Sequence, residues 1–137
     1  MIDLENKTSF PIEIPLLEKI AQDMTKKDIE LIITDNADIQ ELNRQFRDKN
    51  TPTDVLSFPY SDATLLGSIV ISYDYVVQGS KEFGHSSDDE LTLLFIHGLL
   101  HILGYDHEED NGEMRSQEMQ IIKRHNLPDS LIVRIEG

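Results

Sequence analysis

Cysteine is absent from the 137 residues of the chain. A disulfide framework, a thiolate nucleophile and a cysteine-based zinc cage are therefore excluded. Long apolar runs are missing too, because the longest, LTLLFIHGLLHILG, is interrupted by two histidines and two glycines and falls short of membrane-spanning length. The first twenty residues contain acids and two prolines where a signal peptide needs an unbroken apolar segment. These absences predict a cytoplasmic protein that does not associate with membranes.

Positive charge is scarce: 12 Lys and Arg stand against 26 Asp and Glu, for a net charge of −14 at pH 7. Attraction to phosphate scales with Lys and Arg, so strong nonspecific binding to nucleic acid is not expected. A polyanion would need a local basic site, and the densest group of cations comprises Arg44, Arg47 and Lys49. The alternative for this group is a solvated helix end, since cations favour helix C-termini.

Apolar periodicity predicts one small mixed sheet and about five helices. The chain has no repeat, low-complexity tract or linker, so we expect a single domain over residues 1–137 and an α+β fold. Asn36 is the predicted N-cap of the second helix, and Pro59 favours an edge position for the third strand because it cannot donate to a ladder. The predicted strands are 1–6, 29–33, 55–60 and 65–72, and the predicted helices are 12–24, 37–46, 73–83, 87–103 and 111–125.

Three of the five histidines fall in the segment HGLLHILGYDH. His97 and His101 have i, i+4 spacing and therefore share one face of a helix. Gly104 provides a left-handed C-cap, after which the returning chain can bring His107 to the same point. Three converging imidazoles form a tetrahedral zinc site with an open fourth position. The alternative, three unrelated surface or core histidines, does not explain this clustering.

The spacing matches the skeleton of the metzincin peptidases, with one residue missing. Where those enzymes carry a general-base glutamate, this chain has Gly98, so peptide hydrolysis is not expected. Zinc can lower the pKa of a bound water to about 7 without a carboxylate. Such a site suits attack on phosphorus, which further requires a cation at the developing negative charge. An arginine from the 44–49 segment could supply it bidentately.

Three segments together resemble the YbeY family of bacterial ribosomal RNA maturation factors. They are NRQFRDKNTPTDVLSFPY, LLGSIVIS and HGLLHILGYDH, in that order. The resemblance implies a zincin-like α+β domain with one zinc ion held by His97, His101 and His107. It implies endoribonuclease activity on single-stranded RNA, with Arg47 and His101 in the catalytic site. It also implies 16S rRNA 3′-end maturation and ribosome quality control, with rRNA precursors and the small ribosomal subunit or its proteins as partners of a monomer.

One residue departs from the family pattern, since Ser68 stands where the family usually has an acid. The loss could alter metal support or substrate positioning, or have no effect if the position faces solvent. Asp106 matches the family and could orient a histidine, although a loop acid is more often solvated. The remaining acids after it (Glu108, Glu109, Asp110 and Glu113) are interpreted as a solvated helix start. His85 and His125 are expected to be exposed.

Two functional alternatives remain open. In the enzyme, either bound hydroxide attacks the scissile phosphate while Arg47 stabilises the phosphorane, or the 2′-hydroxyl attacks with zinc as a Lewis acid. The other class is a ribosome-biogenesis binding module whose metal is structural; a fourth protein ligand would close such a site. Three imidazoles also accept nickel, copper or iron.

Overall fold

The computed structural model describes residues 1–106 and 108–136, which form a mixed α/β fold with one four-stranded sheet and six helices. In the described chain, no helix is long and apolar enough to cross a membrane. The strands are β1 (Ile2–Asn6), β2 (Asp28–Thr34), β3 (Val55–Pro59) and β4 (Leu65–Ser72). The helices are α1 (Pro15–Met24), α2 (Asn36–Arg47), α3 (Tyr73–Phe83), α4 (Ser87–Ile102), α5 (Glu113–Arg124) and α6 (Asp129–Glu136).

The sheet has the strand order β1-β2-β4-β3. β1 and β4 both run parallel to β2, while β3 runs antiparallel to β4. The predicted edge position of β3 is confirmed, and Pro59, which has no N–H to donate, is its last residue. The fold class predicted from the sequence, α+β with a small mixed sheet, is confirmed.

Alternating residues on the strands separate two apolar layers. Leu31 and Ile69, which are register partners on β2 and β4, belong to the main core with α1, α3 and α4. Leu56 and Val70, partners on β3 and β4, instead pack with Ile39 of α2 on the opposite face. The two faces of β3 therefore look toward different helices, α4 on one side and α2 on the other.

Helix α4 is the central helix of the main core. Its start is fixed by Ser86, whose side chain accepts a hydrogen bond from the backbone N–H of Asp89 at 3.0 Å. From Leu91 to Ile102, side chains on almost every side of the helix are buried, because sheet, α3 and α5 surround it. The chain leaves the helix through Gly104 at φ 103°, as the sequence predicts.

One helix start, one N-cap and one whole helix differ from the predictions. Helix α1 begins at Pro15 rather than near residue 12, since proline is preorganised for the first helical position. The N-cap of α2 is Asp35, which accepts from the N–H of Asp38 at 2.9 Å, whereas Asn36 lies inside the helix and accepts from the Ser72 hydroxyl. Helix α6 was not predicted, because eight residues after Pro128 give too short a pattern.

Candidate metal centre and active-site cleft

A cleft of about 520 Å³ lies along the edge strand β3. Strand β3 contributes Val55, Ser57 and Pro59, the alternate residues that face α4. Helix α4 contributes His97 and His101 from the opposite wall. Strand β3 and helix α4 therefore form two facing walls of the cleft.

The two histidines of α4 converge on one point. Their Nε2 atoms lie 3.2 Å apart, with ring centroids 4.7 Å apart and planes at 78°. Two nitrogens bound tetrahedrally to one zinc at 2.0–2.1 Å are separated by about 3.3 Å, so this pair fits a shared metal ion. The third predicted ligand, His107, lies outside the described residues, and within those residues no group of three ligands gathers. The three-histidine site remains a prediction.

A carboxylate that the sequence analysis did not single out supports His97. Oε1 of Glu118 on α5 lies 3.4 Å from Nδ1 of His97, and the Glu118 side chain is 6% exposed. A carboxylate at Nδ1 favours the tautomer whose Nε2 lone pair faces a metal. A sequence signal existed: Glu118 follows buried Met114 by four residues, which places an acid on the apolar face of α5.

Gly98 marks the closest approach of α4 to the sheet. A Cβ built there would lie 2.9 Å from a methyl group of Ile69 and 3.1 Å from Ser57 Oγ. The Ser57 hydroxyl also donates to the Gly98 carbonyl at 3.0 Å. A glutamate at this position would collide with β3 and β4, so glycine here has a packing reason.

Among the described residues that line the cleft, Arg47 is the one with a lysine or arginine side chain. The neighbouring cation Arg44 is instead paired with Glu41 on the same helix. A side-chain hydrogen bond from Arg44 lowers the pKa of Glu41, and the same bond raises the pKa of Arg44. The predicted basic group is therefore not one site: Arg47 lines the cleft, whereas Arg44 forms an ion pair with Glu41 on the surface.

Acidic residues also line the cleft, namely Asp54, Asp106 and Glu108. The Asp106 carboxylate accepts a hydrogen bond from the N–H of Glu108 at 3.1 Å, which stabilises the turn after α4. A role for Asp106 in orienting a histidine stays a prediction. The helix-start interpretation fits Asp110, whose carboxylate accepts from the N–H groups of Gly112 and Met114; Glu108, however, faces the cleft.

Ser68 lies on the sheet face opposite the histidines. It is the register partner of Phe58, on the α2 side, and is 2% exposed. Its hydroxyl donates to Glu30 Oε1 at 2.6 Å and lies 2.8 Å from the Tyr60 hydroxyl. The departure from the family pattern therefore occurs in a polar network behind the cleft, and the alternative of a solvent-facing position does not apply.

The predicted exposure of His85 and His125 is wrong. The His85 side chain is 3% exposed, and its Nε2 lies 2.7 Å from Oε1 of buried Glu90. The His125 side chain is 6% exposed, with Nε2 2.8 Å from Asp23 Oδ2. Both histidines lie near helix ends, but neighbouring helices cover them and acids face them, which periodicity within one helix cannot reveal.

Comparisons with a family model and with curated proteins return the same family name. The family model described as Endoribonuclease YbeY matches residues 5–126. Proteins named Endoribonuclease YbeY from Nautilia profundicola and Sulfurimonas denitrificans are 59% and 57% identical to this chain. The alignments cover 99% of the chain and 99% of the protein for the first, and 100% of each for the second. A solution structure from Thermotoga maritima aligns with a TM-score of 0.62 at 26% identity, covering 99% of this chain and 92% of the other. The chain belongs to the YbeY family.

Proposed function

We propose that this chain is a metal-dependent endoribonuclease that cleaves single-stranded RNA. The observation that carries the proposal is the convergence of His97 and His101 Nε2 atoms at 3.2 Å in the cleft that Arg47 also lines. The similarity to proteins named Endoribonuclease YbeY supports the same reaction class. One zinc ion, held by His97, His101 and His107, is the proposed cofactor, because three imidazoles leave a fourth position open.

Each protein group has a distinct task in this proposal. The two α4 histidines direct their Nε2 atoms at the metal position, and Glu118 orients His97 through Nδ1. A bound zinc ion supplies Lewis acidity at the cleft. The Arg47 guanidinium binds non-bridging phosphate oxygens through its planar fork and balances charge that develops during cleavage. His101 is the ligand whose loss tests the site most directly.

The proposed substrate is a ribosomal RNA precursor, processed at the 16S 3′ end and during ribosome quality control in the cytoplasm. The cleft holds Arg47 against three acids, in a chain of net charge −14. Docking of a monomer on the small ribosomal subunit or its proteins would therefore supply affinity that charge attraction cannot.

The test separates metal ligation from phosphate binding. His101→Ala should lose zinc and RNA cleavage together, because a ligand is removed. Arg47→Glu should keep zinc content and folding near wild type while cleavage of an unpaired oligoribonucleotide falls by roughly 10²–10³. Arg47→Lys should recover part of the rate, since a point charge cannot reproduce the fork. Metal analysis, thermal unfolding and a gel cleavage assay measure the three properties.

Arg44→Glu is the matched control, because it makes the same charge change three residues away on α2 at a residue paired with Glu41. It should cleave nearly as well as wild type. If holoprotein cleaves no RNA, or if His101→Ala cleaves equally well, the proposed enzyme is overturned and the alternative, a binding module with a structural metal, is favoured. The product ends identify the nucleophile: a 2′,3′-cyclic phosphate indicates attack by the 2′-hydroxyl.

A further inference from the structure

Phe46 is an exposed aromatic residue in the last turn of α2. Its relative exposure is 64%, more than that of any other described large apolar side chain except Met1. Ile39, which lies on the apolar face of the same helix, is fully buried against the sheet. Phe46 lies seven residues further on, in the last turn, so the apolar stripe of α2 ends on a ring that is mostly open to solvent.

The Phe46 ring is held in place despite its exposure. Its centroid lies 5.4 Å from that of Phe58 on β3, with the planes at 67°. This edge-to-face geometry is the favourable one for an aromatic pair. A ring fixed by one edge contact, with most of its surface free, loses little conformational entropy when a planar ligand stacks on it.

The aromatic pair adjoins, in the chain, residues that line the active-site cleft. Arg47, the next residue after Phe46, lines the cleft. Ser57 and Pro59, the neighbours of Phe58, line it as well. Each ring is therefore one residue in sequence from a cleft-lining position, and because β3 is an edge strand, a nucleic-acid strand could pass around it from the cleft to the α2 side where the rings lie.

The negative charge of the molecule opposes RNA binding, and base stacking on the Phe46 ring is a source of affinity that does not depend on charge. Asp54, Asp106 and Glu108 oppose phosphate in the cleft, and the net charge of −14 repels a polyanion. Stacking of a base on an aromatic face is independent of these charges and tolerates any base. A base engaged in a duplex does not offer its face, so stacking also selects unpaired RNA.

We propose that Phe46 is a stacking platform for an unpaired base of the RNA strand whose phosphate meets Arg47. The inference rests on the proposed function and adds a binding determinant to it. Removing the ring should weaken binding by roughly 5- to 150-fold, the range that one stacked base contributes.

The absence of tryptophan from the chain allows a direct measurement. Phe46→Trp introduces a single tryptophan at the proposed platform. We expect its emission to be quenched when zinc-loaded protein is titrated with a short 2′-O-methyl oligoribonucleotide, while anisotropy of a labelled copy reports binding. Phe10→Trp is the matched control: Phe10 is 47% exposed but stacks on Tyr73, and its emission should not respond.

Side-chain series distinguish stacking from general apolar contact. Phe46→Tyr should bind like wild type, whereas Phe46→Leu and Phe46→Ala should both weaken binding with unchanged zinc content and only a small fall in melting temperature, since the edge contact with Phe58 is lost. Oligonucleotides with an abasic site at each position in turn should identify one position where wild type loses its advantage over Phe46→Ala.

The inference is overturned if Phe46→Leu binds like wild type, or if Phe46→Trp emission stays constant while anisotropy shows the strand bound. It is equally overturned if no abasic position removes the difference. These results would leave the proposed function standing, provided that wild type cleaves RNA and His101→Ala does not. Failure of the proposed function appears separately, as wild-type holoprotein that cleaves no strand or as His101→Ala that cleaves equally well.

Discussion

A single hydrogen atom at residue 98 determines how closely α4 approaches the sheet. The space that a side chain would occupy is taken by Ile69, Ser57 and Val55. The same contact brings His97 and His101 against the wall formed by β3. Gly98 therefore links the packing of the core to the geometry of the cleft.

Gly98→Ala should lower the free energy of unfolding by about 1–3 kcal/mol, the usual range for overpacking a filled site. The better helix propensity of alanine offsets part of this loss, by about 1 kcal/mol. Urea unfolding measures the change, with Ser116→Ala on the exposed side of α5 as a control that should be nearly neutral. Equal or greater stability of Gly98→Ala would show that the sheet yields at this contact.

In the proposed metal site, Glu118 would act through His97, which it contacts at Nδ1, rather than by ligation. Glu118→Gln keeps the shape of the buried side chain but removes the charge that supports Nδ1 of His97. Zinc affinity should fall by about 10- to 100-fold, as measured by competition with a chromogenic chelator, with the melting temperature of the metal-free protein little changed. Glu109→Gln, in the exposed part of the loop before α5, should leave affinity unchanged. Equal affinities in both variants would contradict the orienting role.

At the scale of elements, a buried ionic cluster joins α6 to α3 and α4. The Glu90 side chain, 2% exposed, lies 2.7 Å from His85 Nε2 and 3.3 Å from Arg134 Nη2. The Arg134 guanidinium also covers the Phe83 ring at 4.2 Å. Gly79 makes room for this cluster, since a Cβ there would lie 2.6 Å from the Glu90 carboxylate.

Glu90→Ala should destabilise the protein by about 3–5 kcal/mol, because it leaves the buried His85 side chain and the partly buried Arg134 side chain without their carboxylate. Urea unfolding and limited proteolysis measure this, and cleavage should appear first in α6. Asp88→Ala, an exposed acid in the same helical turn, should cost only a few tenths of a kcal/mol through the helix dipole. Comparable losses in the two variants would mean that the cluster contributes no more than the dipole does.

At the scale of the whole molecule, charge distribution predicts how salt affects RNA binding. Each phosphate contact to a single strand contributes about −0.7 to the slope of log K against log salt. With Arg47 as the one lysine or arginine among the described residues that line the cleft, a slope of only about −0.7 is expected. Anisotropy titrations between low and physiological salt measure it, and Arg47→Gln should reduce its magnitude by about 0.7. A steep slope, typical of four or more phosphate contacts, would contradict this distribution.

The histidine spacing, the left-handed Gly104 and the edge position of Pro59 follow from the sequence. They depend on interactions within one helix, one turn or one strand, which periodicity and residue type encode directly. The four strands and the first five helices were likewise predictable, because each follows from a residue pattern within its own segment. The convergence of His97 and His101 is likewise set by i, i+4 geometry on one helix.

Contacts between residues that are far apart in the chain could be known only from the tertiary structure. Glu118 meets His97 across 21 positions, and Arg47 reaches the histidine cleft only because α2 ends beside the edge of β3. The burial of His85 and the exposure of Phe46 depend equally on which helix covers which face. The sequence by itself therefore determined which residues could do chemistry, because helical and strand periods are local. The packing of α2, α4 and α5 around β3 decided which of them meet, because close packing selects partners by shape across the whole chain.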